Sequence, residues 1–283
     1  MHPKVSIVVP VYNGLTFLTE LLDSLKSIKY PNLEFIFSDG GSSDGSLEFL
    51  RSIELENVHV LSSKNKITAA SNWTKATESA SGEYIKLICQ DDILYPESIS
   101  KQVEDLVNNP TAVLAAAQRD IIDYKGNPLF RKRGLAGLDN NNVLISGKNI
   151  IHKCFMEGTN ILGEPLSVLF RSDYLRRVMP WDDGNPLMLD LSTYQKVSVF
   201  GDFVIRFESL GAFRVSSSSW STRLAKNQLE MTKSWQSNYM RTSPFLISKP
   251  EQFRAFIGRH KNNLLRQSAY IYIDLKQKTT MKA

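Results

Sequence analysis

The 283-residue sequence has little of several features that would assign it to a particular class of protein. It contains only two cysteines, Cys89 and Cys154, which excludes a disulfide-rich scaffold. No run approaches 18 consecutive apolar residues, so a membrane-spanning helix is excluded. The 15 glycines and 11 prolines are ordinary numbers, and 42% of the residues are apolar. This composition excludes a collagen-like or disordered chain and can supply a sizeable core.

Two further absences concern the start of the chain. Its first residues contain one lysine and a short apolar run broken by Pro10, with no small-residue cleavage site, which predicts a buried strand and not a signal peptide. We therefore expect a cytoplasmic protein with two reduced thiols. Neither G-x-G-x-x-G nor G-x-x-x-x-G-K-[ST] follows the first apolar run, which argues against dinucleotide-binding and P-loop folds.

The net charge of +5 is distributed unevenly along the chain. From Thr222 onward there are 12 basic and 3 acidic residues, whereas the preceding part has 22 basic and 26 acidic residues. A nucleic-acid-binding domain usually spreads basic residues over its fold, so we expect no nucleic-acid partner. The basic tail is compatible with peripheral contact at the anionic inner face of a membrane, and equally with a solvated helical face.

The first 110 residues alternate between strand and helix patterns. Four apolar, β-branched segments predict strands: Val5–Val11, Leu33–Ser38, Val58–Leu61 and Tyr84–Cys89. Segments with helical spacing lie between and after them, including Thr68–Ser79 and Glu97–Val107. The alternation predicts an α/β fold with a mostly parallel sheet and helices on both faces.

The pattern changes after about residue 112. Three segments predict strands, namely Ala112–Ala117, Arg119–Tyr124 and Leu166–Arg171. Gly147–Met156 and Asp190–Phe200 predict helices, and the chain beyond Trp220 has helical spacing. We therefore expect one domain over residues 1–220 and a basic helical C-terminal extension over residues 221–283.

Polar residues follow three of the predicted strands. Tyr12 and Asn13 come after the first strand, Asp39 after the second, and Asp91 and Asp92 after the fourth. Ligands of open parallel sheets bind outside the carboxyl ends of the strands, so these side chains are candidates for one site. Paired carboxylates can hold Mg²⁺ or Mn²⁺, which would bridge the phosphates of a nucleotide, although adjacent acids in a turn are more often solvated surface residues.

These segments together resemble the family 2 glycosyltransferases of the GT-A fold. The resemblance covers about the first 220 residues and runs in the family's order. It lies in Val5–Gly14, Ser38–Ser46, Asn65–Asn72, Tyr84–Asp92 with Pro96, and Gly163–Pro165 leading into Leu169–Arg171. It implies a GT-A-like catalytic domain that binds a nucleotide-sugar, followed by the C-terminal extension.

The resemblance also implies roles for individual residues on the donor side. Pro10, Tyr12 and Asn13 match the segment that lines the nucleotide, and Asp39 matches the acid that accepts a hydrogen bond from the uracil N–H. Asn72 matches a polar residue that faces the nucleotide, although a plain surface asparagine fits as well. Asp44 is better explained as a helix cap.

The acidic turn carries the remaining donor-side roles. Asp91 matches the residue near the ribose, and Asp92 matches the ligand of a divalent metal, Mg²⁺ or Mn²⁺. Cys89 stands where the family's pattern has its first acid, so the acidic pattern is truncated. A nucleophilic Cys89 is less plausible than a core cysteine, because it ends an apolar strand.

Asp190 matches the acid that serves the family as catalytic base, with Asp182 and Asp183 as competitors upstream. An aspartate at a helix start is also an ordinary cap. The family often has R-x-H after this helix, but Ser216 occupies the position of the histidine here. The roles of Arg214 and Glu164 stay open, and the absence of the histidine argues against strong metal dependence.

The resemblance implies an inverting glycosyltransferase that uses a UDP- or dTDP-sugar. A saccharide or lipid-linked saccharide would be the acceptor, in the synthesis of a bacterial surface polysaccharide. Two alternatives stay open: a sugar-1-phosphate nucleotidyltransferase, and a non-catalytic subunit that only binds the nucleotide-sugar.

Overall fold

A computed structural model describes residues 2–141, 143–215 and 227–280 of the chain. Its strands are β1 Val5–Val11, β2 Leu33–Asp39, β3 Val58–Ser62, β4 Tyr84–Leu87, β5 Ile93–Leu94, β6 Ala112–Ile122, β7 Pro128–Arg133, β8 Leu144–Ser146, β9 Val168–Arg171 and β10 Asp202–Arg214. Its helices are α1 Leu15–Lys26, α2 Ser46–Arg51, α3 Ala69–Glu78, α4 Ser98–Asn108, α5 Gly147–Glu157, α6 Ser172–Val178, α7 Leu189–Val197, α8 Gln228–Thr242 and α9 Lys249–Thr280.

The strands within these ranges form one mixed sheet in the order β3-β2-β1-β4-β9-β6-β10-β5, with β7 beside β6 and β8 beside β10. The pairs β1–β2, β2–β3, β1–β4 and β6–β10 are parallel. Strand β9 runs antiparallel between β4 and β6, so the six strands in these parallel pairs all point the same way. The mostly parallel sheet predicted from the strand–helix alternation is therefore confirmed.

Two separate apolar cores cover the two faces of the sheet. Val8 of β1 packs into one core with α3, α5 and α7, whereas its neighbours Ile7 and Val9 pack into the other with α1, α2 and α4. This division follows from the period of two in a strand, which sends successive side chains to opposite faces. A strand covered on both faces needs a continuous apolar sequence, and β1 has one.

Helices α8 and α9 pack against the face that carries α5. Trp235, Tyr239 and Ala255 belong to the same core as Phe155 of α5. The crossing of α5 and α9 is tight, because a Cβ on Gly258 would come within 2.4 Å of the Met156 carbonyl oxygen. In the part of the chain that the structure describes, no helix combines the length and the apolar character that crossing a membrane requires.

Several elements differ from the sequence-based expectation. Ala112–Ala117 and Arg119–Tyr124 form a single strand, β6, and not two. Strands β7 and β10 were not expected, although β10 pairs with β6 over most of its length. Mixed polar and apolar residues in β10 hide its strand period, because one part of it is half-buried.

Candidate active site

The loops that follow β1 and β2 are locked together by hydrogen bonds. Asn13 has a positive φ of 48°, donates its backbone N–H to Ser42 Oγ at 2.9 Å and accepts at its Oδ1 from the Ser43 N–H at 2.9 Å. Asp44 accepts from the N–H groups of Ser46 and Leu15, the first residues of α2 and α1. Although burial opposes it, this hydrogen bonding lowers the pKa of Asp44, as expected for a capping carboxylate.

Asp39 and Asn72 lie buried beneath these loops. The Asp39 carboxylate is 1% exposed and accepts from the N–H groups of Gly41 and Ser42 at 3.1 Å. Asn72, on α3, accepts from Ser38 Oγ at 2.7 Å and donates to the Val11 carbonyl oxygen at 3.1 Å. Asn72 is therefore not a surface residue: its amide ties α3 to the ends of β1 and β2.

Tyr12 connects this loop cluster to the acidic turn. Its backbone N–H donates to Gln90 Oε1 at 2.7 Å, and Gln90 Nε2 donates back to the Tyr12 carbonyl oxygen at 3.1 Å. The Tyr12 ring is partly exposed, with Lys66 Nζ 4.7 Å from its centroid. An exposed ring beside a lysine suits a planar base with a phosphate nearby. Pro10, in contrast, is buried within β1.

The acidic turn holds two carboxylates in different environments. Asp91 lines the cavity described below, whereas Asp92 is 1% exposed and accepts at Oδ1 from the Arg214 N–H at 3.1 Å. Asp92 Oδ2 is buried and has no hydrogen-bond partner among the described residues. Burial raises the pKa of both groups, and the charge of Asp91 raises the pKa of Asp92 further.

The side chain of Arg214 supports this turn and also lines the cavity. Its guanidinium donates to the carbonyl oxygens of Asp91, Asp123 and Tyr124 and forms a 2.5 Å ion pair with Glu20. Four of the five guanidinium N–H groups are thus used within the protein. Ser216, the residue that replaces the family's histidine, lies outside the described residues.

Cys89 contacts the same cavity but is not poised as a nucleophile. Burial raises the pKa of its thiol well above the usual value, and the neighbouring Asp92 and Asp91 add to the shift. The thiolate is the reactive form of cysteine, so this environment suppresses reactivity. Cys89 and Cys154 are both free.

A cavity of about 470 Å³ opens beside the acidic turn. Asp91 and Asp190 both line it, together with Trp73, the neighbour of Asn72 on α3. The other residues predicted from the sequence do not line it: Pro10, Tyr12, Asn13, Asp39, Asn72 and Asp92. A volume of this size is ordinary for a small-molecule site. The sheet therefore brings the two ends of the predicted site, Asp91 and Asp190, to one hollow.

Asp190 sits in the first turn of α7 with its carboxylate held from two sides. Its Oδ1 accepts from the Leu191 N–H at 2.6 Å, and its Oδ2 accepts from Asn160 Nδ2 at 2.9 Å. Burial nevertheless raises the pKa of Asp190 to about 7, with the negative charge of Glu164 adding to the effect. A carboxylate with this pKa can accept a proton efficiently near neutral pH. Its upstream competitors Asp182 and Asp183 do not line the cavity.

Glu164 faces the cavity as one half of an ion pair. Its carboxylate contacts the Arg119 guanidinium of β6, and both side chains line the cavity. The ion pair compensates the Glu164 charge only in part, and Asp190 has no ionic partner within 4 Å among the described residues. Glu164 therefore raises the pKa of Asp190 through the electrostatic field of its carboxylate.

Sequence reasoning did not identify a second group of cavity residues. Phe130 and Arg133 come from β7, and Asn160 comes from the turn after α5. Helix α9 contributes Leu265, Arg266, Ala269, Tyr270 and Ile273. The sequence showed the helical spacing of α9, but it did not show which part of the protein the inner face of this helix packs against. The charge of Arg266 partly offsets the rise in the Asp190 pKa.

The donor set of the acidic turn fits a divalent cation held jointly with a ligand. No group of three or more His, Cys, Asp or Glu side chains that could hold a metal occurs within the described ranges. Mg²⁺ and its analogues, however, are commonly held by one or two carboxylates together with substrate phosphates. Asp91 at the cavity wall and the unpartnered Asp92 Oδ2 supply such oxygens.

Comparison with known proteins gives consistent matches. The family model described as "Glycosyl transferase family 2" matches residues 6–162. An uncharacterized glycosyltransferase of Rickettsia bellii is 27% identical over 89% of this chain and 38% of its own length. Glycosyltransferase GlyG of Streptococcus pneumoniae is 34% identical over 47% of this chain and 45% of its own. The chain therefore spans less than half the length of these curated relatives.

A third curated relative carries a pathway in its name. The putative teichuronic acid biosynthesis glycosyltransferase TuaG of Bacillus subtilis is 30% identical over 39% of this chain and 44% of its own.

Solved structures share the fold at low sequence identity. Residues 1–349 of S. aureus TarS in complex with UDP-GlcNAc align with a TM-score of 0.67 and 15% identity, over 91% of this chain and 72% of that one. The mannosyltransferase PcManGT of Pyrobaculum calidifontis, in complex with GDP-Man and Mn²⁺, aligns with a TM-score of 0.57 and 13% identity, over 100% and 80%.

Proposed function

The chain belongs to glycosyl transferase family 2, and we propose that it is an inverting glycosyltransferase that transfers a sugar from a UDP- or dTDP-linked donor to a hydroxyl group. One observation carries the proposal: Asp91 and Asp190 line the same cavity, and Asp190 has a pKa of about 7. The first carboxylate lies beside the loops suited to a nucleotide, and the second is suited to accept a proton.

Asp190 is the general base in this proposal. The acceptor hydroxyl gives its proton to the Asp190 carboxylate while its oxygen forms a bond to the anomeric carbon. The bond from that carbon to the donor's diphosphate breaks on the opposite face, which inverts the configuration. The Leu191 N–H and the Asn160 amide hold the carboxylate in place for this step. General base catalysis of this kind contributes about 10²–10⁴-fold in rate.

The loops around Tyr12 and Asp39 bind the nucleotide in this proposal. Asp39 uses its carboxylate to order the 41–42 backbone, and a carboxylate retains further acceptor positions for the N–H of uracil or thymine. A base without that N–H would leave a buried acceptor unpaired, at a cost of about 1–3 kcal/mol. Solved relatives bind both UDP-GlcNAc and GDP-Man, so the fold alone does not decide the base.

Asp91 and Asp92 would hold a divalent cation together with the donor. When bound, Mg²⁺ or Mn²⁺ would supply positive charge against the diphosphate. The Mn²⁺ complex of the P. calidifontis mannosyltransferase supports this assignment.

The acceptor in this proposal is a saccharide or a lipid-linked saccharide of a bacterial surface polysaccharide, handled at the inner face of the cell membrane. The name of the B. subtilis relative, which refers to teichuronic acid biosynthesis, supports a role in polysaccharide synthesis. The basic C-terminal region supports the location, because anionic lipids attract such segments.

A panel of nucleotides tests the donor assignment. We expect UDP and dTDP to raise the Tm more than GDP, with a larger shift in Mn²⁺, and we expect release of a nucleoside diphosphate from UDP-sugars. A preference for GDP would refute the assignment of a uridine or thymidine donor, and an equal shift with CDP, whose cytosine lacks the N–H of uracil and thymine, would refute the role of Asp39. Release of pyrophosphate would identify a nucleotidyltransferase instead, and binding of UDP-sugars with no release in the presence of saccharide acceptors would identify a non-catalytic subunit.

A further inference from the structure

Helix α9 is amphipathic in an unusual way, because it presents apolar residues on two opposite faces. On its inner face, Ala255, Gly258 and Ile273 are buried against the body of the protein. The opposite face carries five large apolar residues, which we call the outer stripe: Phe253, Phe256, Ile257, Leu264 and Ile271. At 3.6 residues per turn these positions fall on one side of the helix, over a length of about 27 Å.

The outer stripe is uncovered. Phe253, Leu264 and Ile271 are 65%, 63% and 62% exposed, and Leu246, in the loop that leads into α9, is almost fully exposed. Single exposed apolar residues are normal, but five of them on one side of a helix, with the polar His260 and Gln267 between them, mark an interaction surface. Packing within the protein explains why the inner face of α9 is apolar, but it does not explain the apolar residues of the outer stripe.

The charge of α9 selects the kind of partner. Its sequence contains seven basic and two acidic residues. By helical position, Arg254 and Lys261 flank the outer stripe, and the 3.7 Å contact of Arg254 with Glu157 is solvent-exposed and therefore weak. Glu251 faces His152 of α5 at 3.2 Å and so does not offset this charge. A second copy of the same stripe would bring like charges together, whereas an anionic bilayer offers apolar chains beneath negative headgroups.

We propose that the outer stripe of α9 docks onto an anionic lipid bilayer, with the helix lying in the plane of the surface. The inner face of the same helix carries Leu265, Arg266 and Tyr270 into the wall of the cavity that holds Asp190. Docking therefore brings this side of the cavity to the membrane. This inference rests on the proposed function in one respect: docking would give the cavity access to a lipid-linked acceptor.

Vesicle co-sedimentation tests the docking surface directly. We expect the full chain to bind vesicles of phosphatidylcholine with about 30 mol% phosphatidylglycerol, and to bind pure phosphatidylcholine much less. The double variant Phe253→Glu/Leu264→Glu should bind the anionic vesicles about tenfold more weakly, because two charges would enter the apolar boundary. Val107→Glu/Val199→Glu is the matched control, since both valines are 53% exposed and lie outside α9.

Each alternative has its own outcome. Failure of the unaltered chain to bind anionic vesicles, or equal binding by the two double variants, would overturn the proposal. A dimer of the unaltered chain that the Phe253→Glu/Leu264→Glu variant dissociates would assign the stripe to a second copy instead. The Tm shift with UDP, measured without vesicles, reports on the proposed function separately and should be the same in all three proteins.

Discussion

The loops after β1 and β2 differ from the walls of the cavity in the electrostatic environment of their polar groups. In the loops, Asn13, Asp39, Asp44 and Asn72 all have hydrogen-bond partners within the protein. At the cavity, burial raises the pKa of Asp91 and Asp190, and Asp92 leaves one buried oxygen unpartnered. The polar groups of the loops are thus satisfied within the folded chain, whereas the cavity side holds carboxylate charge that a bound ligand would compensate.

This difference indicates a division of labour. Groups that are satisfied in the folded chain stabilise it and hold a shape to which a nucleotide can bind with little rearrangement. Groups that are buried without full compensation cost stability and are typical of sites where protons and charges move. The comparison predicts that substitutions in the cavity remove activity at little cost in stability, and that substitutions beneath the loops do the reverse.

The largest expected effect is that of Asp190→Asn. The amide keeps the shape of the carboxylate but cannot accept a proton, so kcat should fall by about 10²–10⁴-fold with little change in UDP affinity. In the unaltered protein, kcat should rise with pH through about 7 as Asp190 loses its proton. Steady-state kinetics over pH 5–9 checks both expectations.

The stability of the Asp190→Asn variant provides its control. Because the folded-state pKa of Asp190 lies above its unfolded value, ionisation of this group opposes folding as the pH rises between the two values. Asn160 Nδ2 would lose its acceptor, because the new amide has only one oxygen for the two donors, but removal of the buried charge should offset this loss. The Tm at pH 8 should therefore be unchanged. Unchanged turnover would contradict the base assignment, and a lowered Tm would contradict the proposed division of labour.

Asp92→Asn should have the next largest effect. Asparagine can still accept the Arg214 N–H at its Oδ1, so the turn should keep its shape while the charge is lost. We expect turnover to fall by about 10²-fold and the Mn²⁺-dependent part of the Tm shift with UDP to disappear. Glu97→Gln removes the same charge at an exposed site and should change neither quantity. Equal Mn²⁺ shifts in the two variants would exclude Asp92 as a metal ligand.

The sequence predicted the loop side of the site better than the cavity side, for a physical reason. Each loop motif follows its strand directly, and the parallel order of β1, β2 and β4 brings the strand ends to one edge. The far wall is assembled from β7, the Asn160 turn and α9, which are distant in sequence and meet only through packing. Asp190 was predicted by resemblance, but its raised pKa depends on burial and on Glu164, neither of which the local sequence contains.

The smallest of these effects, on the loop side, should be that of Asn72→Ala. The substitution leaves Ser38 Oγ and the Val11 carbonyl oxygen without their partner in a buried position, which should cost about 1–3 kcal/mol in the free energy of unfolding. Asn109→Ala is the matched control, because its amide donates to the Asp105 carbonyl oxygen from a half-buried position away from the cavity, where water can substitute. Urea unfolding and UDP titration distinguish two roles for Asn72. A tie between β1, β2 and α3 predicts a loss of stability with a modest change in UDP affinity, because the loops it supports are also fixed by Asn13 and Asp44. Direct contact with the nucleotide predicts a large loss of affinity with unchanged stability, and that result would move Asn72 from the structural side of the comparison to the ligand-binding side.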